Sequence, residues 1–379
     1  MMNRRFFLKN GLALGCAAAA APAVSPLRLA AAEGENRLVV IVLRGAMDGL
    51  GVFAPWGDRD WAALRPTLGA EPGKGLIDLD GRFGMDARLR PLMPLWRAEE
   101  FAVVHAVSTP YREKRSHFDG QDLLETGVAA VGEARDGWLN RAFAHIPGAR
   151  PTEALAVGRE AMLLTTGAAE FRSWAPGERL TLVEDERRLL SRLYGRDPRF
   201  ARAVAAAGDL SVESADAAES AAAYAARRLS EDVRIAAFSL TGWDTHASQK
   251  SALNRCLRDL SESLTTLRDR MGAAWERTLV VAVTEFGRTA RENGAKGTDH
   301  GTGGAAILAG GAMRGGRVYG DWPGVAEPDL YEGRDLKPTD DVRRTAAWAL
   351  AAQFGLGREA LERDVFPGLD LGARPAWLA

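Results

Sequence analysis

Five short, continuous apolar runs recur along the sequence, and they constrain the fold more than any other feature. They are residues 38–43, 101–107, 233–240, 278–284 and 305–309. A strand with one face in water alternates apolar and polar residues, whereas a strand that is buried on both faces is apolar throughout. The runs therefore predict a mostly parallel β-sheet that is covered on both sides.

Helical patterns fill the chain between these runs. The candidate helices are residues 116–126, 138–145, 184–194, 214–230, 247–275 and 341–354. This alternation predicts an α/β fold in which a central, mostly parallel sheet is sandwiched by helices. Because no internal repeat and no proline- or serine-rich linker divides the chain, we expect a single domain over residues 33–379.

The first 32 residues have the organisation of an export signal. Residues 3–9 (NRRFFLK) resemble the twin-arginine (Tat) motif, residues 11–24 are apolar, and residues 30–32 offer a small-residue cleavage site. The apolar stretch is shorter than the roughly 20 residues that a membrane span needs. We expect a Tat signal peptide over residues 1–32, the Tat translocase as partner during export, and a periplasmic or secreted protein. A basic helix retained in the cytoplasm and a lipoprotein signal at Cys16 are the alternatives.

The chain after this signal is mildly acidic and has a single cysteine. The net charge of the whole sequence is −1, but the first 32 residues hold four basic residues and no acidic one, so the remainder carries −5. Nothing in that balance favours nucleic acid as a partner. Cys256 is the only cysteine after the signal, which excludes a disulfide within the exported part of the chain.

Acidic side chains stand next to four of the predicted strands. Asp48 follows the first run, Asp244 follows the third, Glu285 follows the fourth, and Asp299 lies just before the fifth. Ligands of open α/β sheets bind beyond the carboxyl ends of the strands. We therefore expect these carboxylates to gather at one edge of the sheet.

Three of the five histidines accompany these acids or begin a predicted helix. His246 lies two residues after Asp244, His300 follows Asp299, and His117 opens the helix at 116–126. Mixed aspartate and histidine sets bind divalent metals, whereas clustered acids without a metal raise one another's pKa. We expect a divalent metal ion, either zinc, manganese or calcium. The candidate ligands are Asp48, His117, Asp244, His246, Glu285, Asp299 and His300.

Structural roles compete with this interpretation. Asp48 could cap its glycine-rich turn, and Glu285 could pair with Arg288 at the surface. The polar residues after the third run could bond to loop backbone. His105 lies inside an apolar run and is typical of a core histidine, and His145 is typical of a helix end.

Ser116 has two interpretations. With Asp119 three residues on, it matches a capping box worth about 1 kcal/mol. A hydroxyl at a helix N-terminus beside a metal could equally be a nucleophile, since that end of a helix stabilises anions. Arg112 and Arg115 just before it could bind phosphate or sulfate or form a solvated loop, and Ser108 is a rival nucleophile.

Several mechanisms lack their motifs. The chain has no G-x-S-x-G elbow, P-loop, H-E-x-x-H or C-x-x-C, and no dinucleotide fingerprint follows the first run. This argues against an α/β-hydrolase, an NTPase, a zincin and a Rossmann dehydrogenase.

Taken together, the segments resemble one bacterial family. They are the Tat signal, LRGAMDGL, RSHFDGQDLLETG, FSLTGWDTH, VTEFGRTARENG and TDHGTGGAAILAGG, in this order. They resemble an exported family known as a domain of unknown function (number fifteen-oh-one), which looks like a distant branch of the alkaline phosphatase and sulfatase superfamily. The resemblance covers essentially the whole chain after the signal.

The resemblance implies a metal site at the carboxyl edge of the sheet and a nucleophile at a helix N-terminus. By motif, Asp48 resembles the first metal aspartate, Ser116 the nucleophile and His300 the late metal histidine. Asp244 and His246 resemble a metal pair, with shorter spacing.

The sequence also departs from the superfamily pattern. Glu285-Phe286 stands where the superfamily has Asp-His, which points to a one-metal or degenerate site. Tyr111 replaces a small residue, and neither candidate nucleophile is a cysteine that could become formylglycine.

These observations predict an exported, metal-dependent hydrolase of small-molecule phosphate or sulfate esters. Ser116 would be its nucleophile, and Arg115, Arg112 or Arg288 would hold the ester oxygens. A non-catalytic binding or assembly protein on the same fold is the alternative, and a mutase or phosphotransferase is a third.

Overall fold

The first apolar run forms a strand in the interior of the main sheet. A computed structural model of the protein describes residues 35–112, 114–175 and 220–378. Strand β1, Arg37–Leu43, pairs in parallel with a strand on each side. Leu38 and Val40 point into one buried apolar cluster, and Val39 and Ile41 point into another on the opposite face. Burial on both faces, which the continuous apolar run predicts, is confirmed.

The remaining elements follow along the chain. The strands are β2 (Phe53–Ala54), β3 (Glu71–Pro72), β4 (Gly75–Asp78), β5 (Gly84–Asp86), β6 (Phe101–Ser108), β7 (Ala154–Val157), β8 (Arg172–Trp174), β9 (Ile235–Leu240), β10 (Thr278–Val283), β11 (Gly304–Ala309), β12 (Val318–Tyr319) and β13 (Asp340–Asp341). The α-helices are α1 (Gly49–Val52), α2 (Trp61–Leu64), α3 (Met93–Arg97), α4 (His117–Thr126), α5 (Trp138–Ala144), α6 (Ala221–Ser230), α7 (Gln249–Met271), α8 (Val342–Phe354) and α9 (Arg358–Ala360). Five 3₁₀ segments (Ala87–Leu92, Pro151–Glu153, Leu163–Thr165, Gly272–Arg277 and Glu327–Asp329) and a π-helix (Leu361–Val365) complete the described part.

The main sheet has nine strands among the described residues. Their order is β12-β6-β11-β10-β1-β9-β7-β8, and β13 pairs with β6 as well. Strand β11 runs antiparallel to both of its neighbours, and the other pairings in this sheet are parallel. The prediction of a mostly parallel sheet is confirmed, with one reversed strand that the sequence did not indicate.

Helices cover both faces of this sheet, as the sequence predicts. Helix α8 packs on the face that contains Val40, while α6 and α7 pack on the face that contains Ile41. The predicted helix at 247–275 is shorter, because Gly272 takes a φ of +53° and a 3₁₀ segment follows. The predicted helix at 184–194 and the start of the one at 214–230 lie outside the described residues.

A second, four-stranded sheet with the order β2-β5-β4-β3 lies between β1 and β6 in the sequence. Its strands have two to four residues each. Because strands this short carry no recognisable periodicity, the sequence gives no signal for them.

The reversed strand brings the chain before β11 to the carboxyl edge of β10. The Gly287 N–H donates to the Thr302 carbonyl (3.0 Å), and the Gly301 N–H donates to the Gly287 carbonyl (2.9 Å). A Cβ at position 287 would stand 1.8 Å from the Gly303 oxygen, so this close approach requires glycine. The segments after β10 and before β11 therefore meet at one edge of the sheet.

The described residues from Asn36 onward belong to one compact unit. No helix in the described ranges is both long enough and apolar enough to cross a membrane. The signal predicted over residues 1–32 lies outside the described part of the chain.

His105 is a core residue in β6, as its position in an apolar run predicts. The side chain is buried, Nε2 lies 3.0 Å from the Phe53 carbonyl, and Nδ1 accepts the Ala106 N–H at 3.1 Å. Burial lowers the pKa of His105 from 6.5 to about 4, because the cationic form loses its hydration. The folded state therefore holds this imidazole neutral.

We predict that His105 makes the protein less stable in mild acid. Below pH 6.5 the unfolded chain binds a proton that the folded chain refuses until about pH 4. The stability that the neutral imidazole provides is thus complete above pH 6.5 and is lost on acidification, by up to about 3 kcal/mol. Urea unfolding at several pH values measures this. In a His105→Gln variant, which keeps a donor for Phe53, the decline between pH 6.5 and 4 should be shallower, and an equal decline would contradict the prediction.

Candidate metal centre

Four side chains converge beyond the carboxyl edge of the sheet. One Asp244 oxygen lies 3.0 Å from His246 Nε2 and 3.4 Å from His300 Nε2, and the other lies 3.4 Å from His117 Nε2. The Nε2 atoms of His246 and His300 are 2.9 Å apart. Ligand atoms of His117, Asp244 and His300 all lie within 4.8 Å of one another, which is close enough to surround one metal ion. We call these four residues the metal cluster.

Three different segments supply the metal cluster. His117 is the first residue of α4, Asp244 and His246 follow β9, and His300 precedes the reversed strand β11. The loop after β1 packs closely against the segment that carries Asp244, since Gly45 has a φ of +115° and a Cβ there would stand 2.5 Å from the Asp244 nitrogen.

The other ring nitrogen of each histidine has an acceptor. His117 Nδ1 lies 2.8 Å from Glu285 Oε1, His300 Nδ1 lies 2.7 Å from the Arg115 carbonyl, and His246 Nδ1 lies 3.3 Å from Asp299 Oδ1. A carbonyl or carboxylate oxygen accepts, so we assign the proton of each neutral ring to Nδ1. Each Nε2 then presents a lone pair to the metal cluster.

This donor set fits a metal cation. Two lone pairs at 2.9 Å repel one another unless a positive charge lies between them, and the buried His117 Nε2 has no hydrogen-bond partner among the described residues. Three imidazoles and one carboxylate are typical zinc ligands, whereas calcium takes six to eight oxygens. The chemistry of the cluster therefore suits zinc or a similar transition metal better than calcium.

Arg288 orients Asp244 instead of facing solvent. It is buried, donates from Nη1 to Asp244 Oδ1 (2.9 Å), and donates from its other nitrogens to the Thr298 hydroxyl and carbonyl (3.2 and 2.8 Å). Partial burial raises the pKa of Asp244, but the bond and charge of Arg288 outweigh it, so the pKa is lowered overall. Asp244 is thus held as an anion, and each Arg288 nitrogen already donates within the protein.

The pKa values of two cluster histidines move in opposite directions. The hydrogen bond to Glu285 raises the pKa of His117, with the charges of Glu285 and Asp244 adding to it. Burial lowers the pKa of His300. Protons and metal therefore compete more strongly at His117 than at His300.

Asp48, a predicted ligand, lies instead in a buried ion pair. Its two oxygens accept from Arg65 Nη1 (2.7 Å) and Nη2 (3.1 Å), and Gln249 Nε2 donates to it as well. Burial alone would raise the pKa of Asp48, but Arg65 and Gln249 lower it overall. With both oxygens engaged by donors, Asp48 is not part of the metal cluster.

Glu285 and Asp299, also predicted ligands, lie behind the histidines. Buried Glu285 accepts from the Gly45 N–H (2.9 Å) and Gln121 Nε2 (3.2 Å) besides facing His117. Asp299 accepts from Asn293 and faces His246. Carboxylates in this position fix the ring and raise the basicity of a ligating histidine.

Ser116 caps α4 with its backbone only. Its hydroxyl makes no capping bond, and the predicted partner Asp119 accepts from the Tyr111 hydroxyl (3.2 Å) instead. The Ser116 N–H donates to that same hydroxyl (3.0 Å). The capping box that the spacing predicts is therefore not formed.

The other candidates before α4 are held by protein groups. Arg115 pairs with Glu332 and Asp335, and Arg112 donates to its own loop and to the Ser108 hydroxyl (3.3 Å). Ser108 is buried in the last position of β6. Outside the cluster, His145 lies 3.6 Å from Asp364 at the end of α5.

Sequence reasoning missed the residues that bind Asp48 and Arg115. Arg65 and Gln249 bind Asp48, and Asp335 binds Arg115. None of the three lies in a motif, and each reaches its partner only in the folded chain. The backbone carbonyl of Arg115 contacts His300, and no side-chain pattern gives a signal for such a contact.

The structure thus defines an α/β protein with a candidate metal centre at the carboxyl edge of its sheet. The sequence model of the family described as "Protein of unknown function (DUF1501)" matches residues 100–365. The chain belongs to this family, in agreement with the motif resemblance. The comparison with curated proteins finds no match.

Solved structures with distant similarity were found as well. A protein in the alkaline phosphatase superfamily from Vibrio parahaemolyticus is 13% identical, covers 89% of this chain and 71% of its own, and has a TM-score of 0.41. A TAB5 alkaline phosphatase mutant with bound magnesium is 13% identical, with 76% and 95% covered and a TM-score of 0.38. The periplasmic domain of EcEptC from Escherichia coli, in complex with zinc, is 9% identical, with 73% of each chain covered and a TM-score of 0.35.

We predict that Asp48→Asn destabilises the protein without removing a metal ligand. The change leaves the Arg65 cation buried beside a neutral amide, which costs about 3–5 kcal/mol. Unfolding and zinc titration of the folded protein measure the two effects.

His246→Ala is the matched control, because the His246 side chain is 46% exposed, belongs to the metal cluster and has the exposed Asp299 carboxylate at its Nδ1. It should weaken zinc binding at little cost in stability. Loss of zinc binding in folded Asp48→Asn, equal to that in His246→Ala, would contradict the assignment.

Proposed function

We propose that this protein is an exported, metal-dependent hydrolase of phosphate or sulfate esters. The observation that carries the proposal is the convergence of three Nε2 lone pairs and one carboxylate at the carboxyl edge of the sheet. The motif resemblance to the alkaline phosphatase and sulfatase superfamily supports the choice of ester.

Accessibility favours chemistry at the cluster over a purely structural metal. The side chains of Asp244 and His246 are 43% and 46% exposed, whereas His117 and His300 are about one-quarter exposed. Structural zinc sites are closed by the protein, while catalytic sites stay open to a substrate. A small ester could thus approach from the Asp244 and His246 side.

The residues of this chain have distinct tasks in the proposed reaction. A bound metal would act as a Lewis acid on an ester oxygen. His117, Asp244, His246 and His300 would hold it, with Arg288 keeping Asp244 ionised and Glu285 keeping the His117 lone pair directed inward.

Ser116 is the proposed nucleophile. Its hydroxyl is free of a capping bond and precedes His117, so it stands at the N-terminus of α4, where an anionic group is favoured. In the reaction, the Ser116 oxygen would bond to phosphorus or sulfur as the ester bond to the leaving alcohol breaks, and the hydroxyl proton of Ser116 would pass through solvent to the alcohol oxygen. A water oxygen would then bond to phosphorus or sulfur as the bond to the Ser116 oxygen breaks, with a water proton returning to Ser116 and the free acid leaving.

A second candidate function is a non-catalytic metal-binding or assembly protein. The observation in its favour is that Arg115 and Arg288, the expected clamps for ester oxygens, are both engaged in ion pairs within the protein. The same experiment separates the two functions.

We predict that Ser116→Ala abolishes ester turnover but keeps the metal. Metal analysis of the purified protein and assays with p-nitrophenyl phosphate and p-nitrophenyl sulfate measure both. Loss of the nucleophile should lower kcat by a factor on the order of 10³ or more. Ser108→Ala, at the rival serine, should leave turnover unchanged.

Each contrary outcome has a definite meaning. Full turnover in Ser116→Ala would exclude this serine as the nucleophile. Metal-loaded protein without turnover of any ester would favour the binding function, and metal-free protein without turnover would contradict the hydrolase.

We also propose that residues 33–379 form one domain and that residues 1–32 direct its export through the Tat pathway. The arginine pair at positions 4 and 5 supports the export signal. Changing both arginines to lysine should keep the protein in the cytoplasm, as cell fractionation would show. Equal export of the lysine variant would contradict Tat export.

A further inference from the structure

Arg115 has an unusual backbone conformation for a residue with a long side chain. Its φ is +52°, in the left-handed region that normally favours glycine, asparagine or aspartate. A non-glycine residue in this region persists only when its surroundings hold it there, and such residues cluster at functional sites. The strained backbone of Arg115 therefore indicates a functional role, and it requires an interaction that holds it in place.

The functional role belongs to the carbonyl oxygen of Arg115, which contacts His300. It lies 2.7 Å from His300 Nδ1, which is the shortest of the three contacts that orient the cluster histidines. A carbonyl oxygen can only accept, so this contact places the His300 proton on Nδ1 and the lone pair on Nε2. The backbone conformation of Arg115 thus determines which nitrogen of His300 faces the metal cluster.

The anchor is the side chain of the same residue. Arg115 Nε donates to Asp335 Oδ2 (3.0 Å), and Nη2 lies 2.9 Å from Glu332 Oε2 and 3.0 Å from Asp335 Oδ2. Glu332 is 60% exposed and Asp335 is fully buried, so Asp335 is the firmer partner.

Asp335 is itself fixed by several groups. Its side chain accepts from the Thr302 hydroxyl (2.8 Å) and from Arg334 (2.8 Å), and its backbone forms bridges with Thr289 and Tyr331. Thr302 lies two residues after His300. The Asp335 carboxylate therefore binds both the Arg115 side chain and the segment that carries His300.

We infer that Arg115 is a positioning residue, whose side chain is anchored on Asp335 so that its left-handed backbone fixes the tautomer and direction of His300. Arg115 is therefore not a clamp for ester oxygens. The inference rests on the proposed metal site for its purpose, but the tautomer itself can be tested without metal or substrate.

The test uses the tautomer of His300 in metal-free protein and the affinity for zinc. Nitrogen NMR of histidine-labelled protein at pH 8 reports which ring nitrogen carries the proton, and competition with a chelator gives the zinc affinity. The native protein should show a single Nδ1–H form at His300. In Arg115→Ala both forms should appear, and zinc binding should weaken roughly 10–100-fold, as on loss of a partner that orients a ligand.

Two further variants separate positioning from general stability. Arg115→Lys keeps a cation for Asp335 and should largely restore both the tautomer and the affinity. Glu332→Gln removes only the exposed partner and should leave both close to native. If Arg115→Ala does not fold, Arg115→Met, which keeps an unbranched side chain but has no donor for Asp335, provides the same two measurements.

A single Nδ1–H tautomer and native zinc affinity in Arg115→Ala, or in Arg115→Met if that variant is used, would overturn the inference. If native protein binds no zinc, the proposed function fails while the tautomer measurement still decides the role of Arg115. Altered tautomer and affinity with unchanged ester turnover would contradict the hydrolase and leave the positioning role intact.

Discussion

The candidate site depends on one kind of interaction, the hydrogen bond at Nδ1 of each cluster histidine. Glu285, Asp299 and a backbone carbonyl each occupy one Nδ1, so the three Nε2 atoms face one another. Turned the other way, any ring would present a proton to the cluster, and the donor set would no longer fit a cation. Glu285 and Asp299, two of the four carboxylates predicted as ligands from the sequence, thus orient the histidines instead.

The sheet makes this arrangement available through a reversal of direction. Strand β11 is antiparallel, so the segment that precedes it returns to the edge at which β9 and β10 end. Without the reversal, His300 would lie at the opposite edge from Asp244. The buried pair of Asp48 and Arg65 closes the loop after β1, with Arg65 also donating to the carbonyls of residues 289 and 290. A charge at that position therefore holds loops together instead of binding metal.

Five of the nine strands described in the central sheet, and the three segments that supply the metal cluster, could be predicted from the sequence. Apolar runs identify strands that are buried on both faces, and a polar residue just after such a run must lie at an edge. Distinguishing a ligand from the residue that orients it needs three-dimensional distances. Asp48 and Asp244 follow their strands in the same way, yet only the fold brings Arg65 onto Asp48. No side-chain pattern indicates the direction of β11 or the contact between the Arg115 carbonyl and His300.

A crystal structure of zinc-loaded protein, with anomalous scattering at the zinc edge, tests the central claim most directly. The account predicts one ion about 2.0–2.2 Å from Nε2 of His117, His246 and His300 and from an Asp244 oxygen. Asp48 should remain paired with Arg65 in that structure. An ion bound by Asp48, or a zinc-soaked crystal with no ion at the metal cluster, would contradict it.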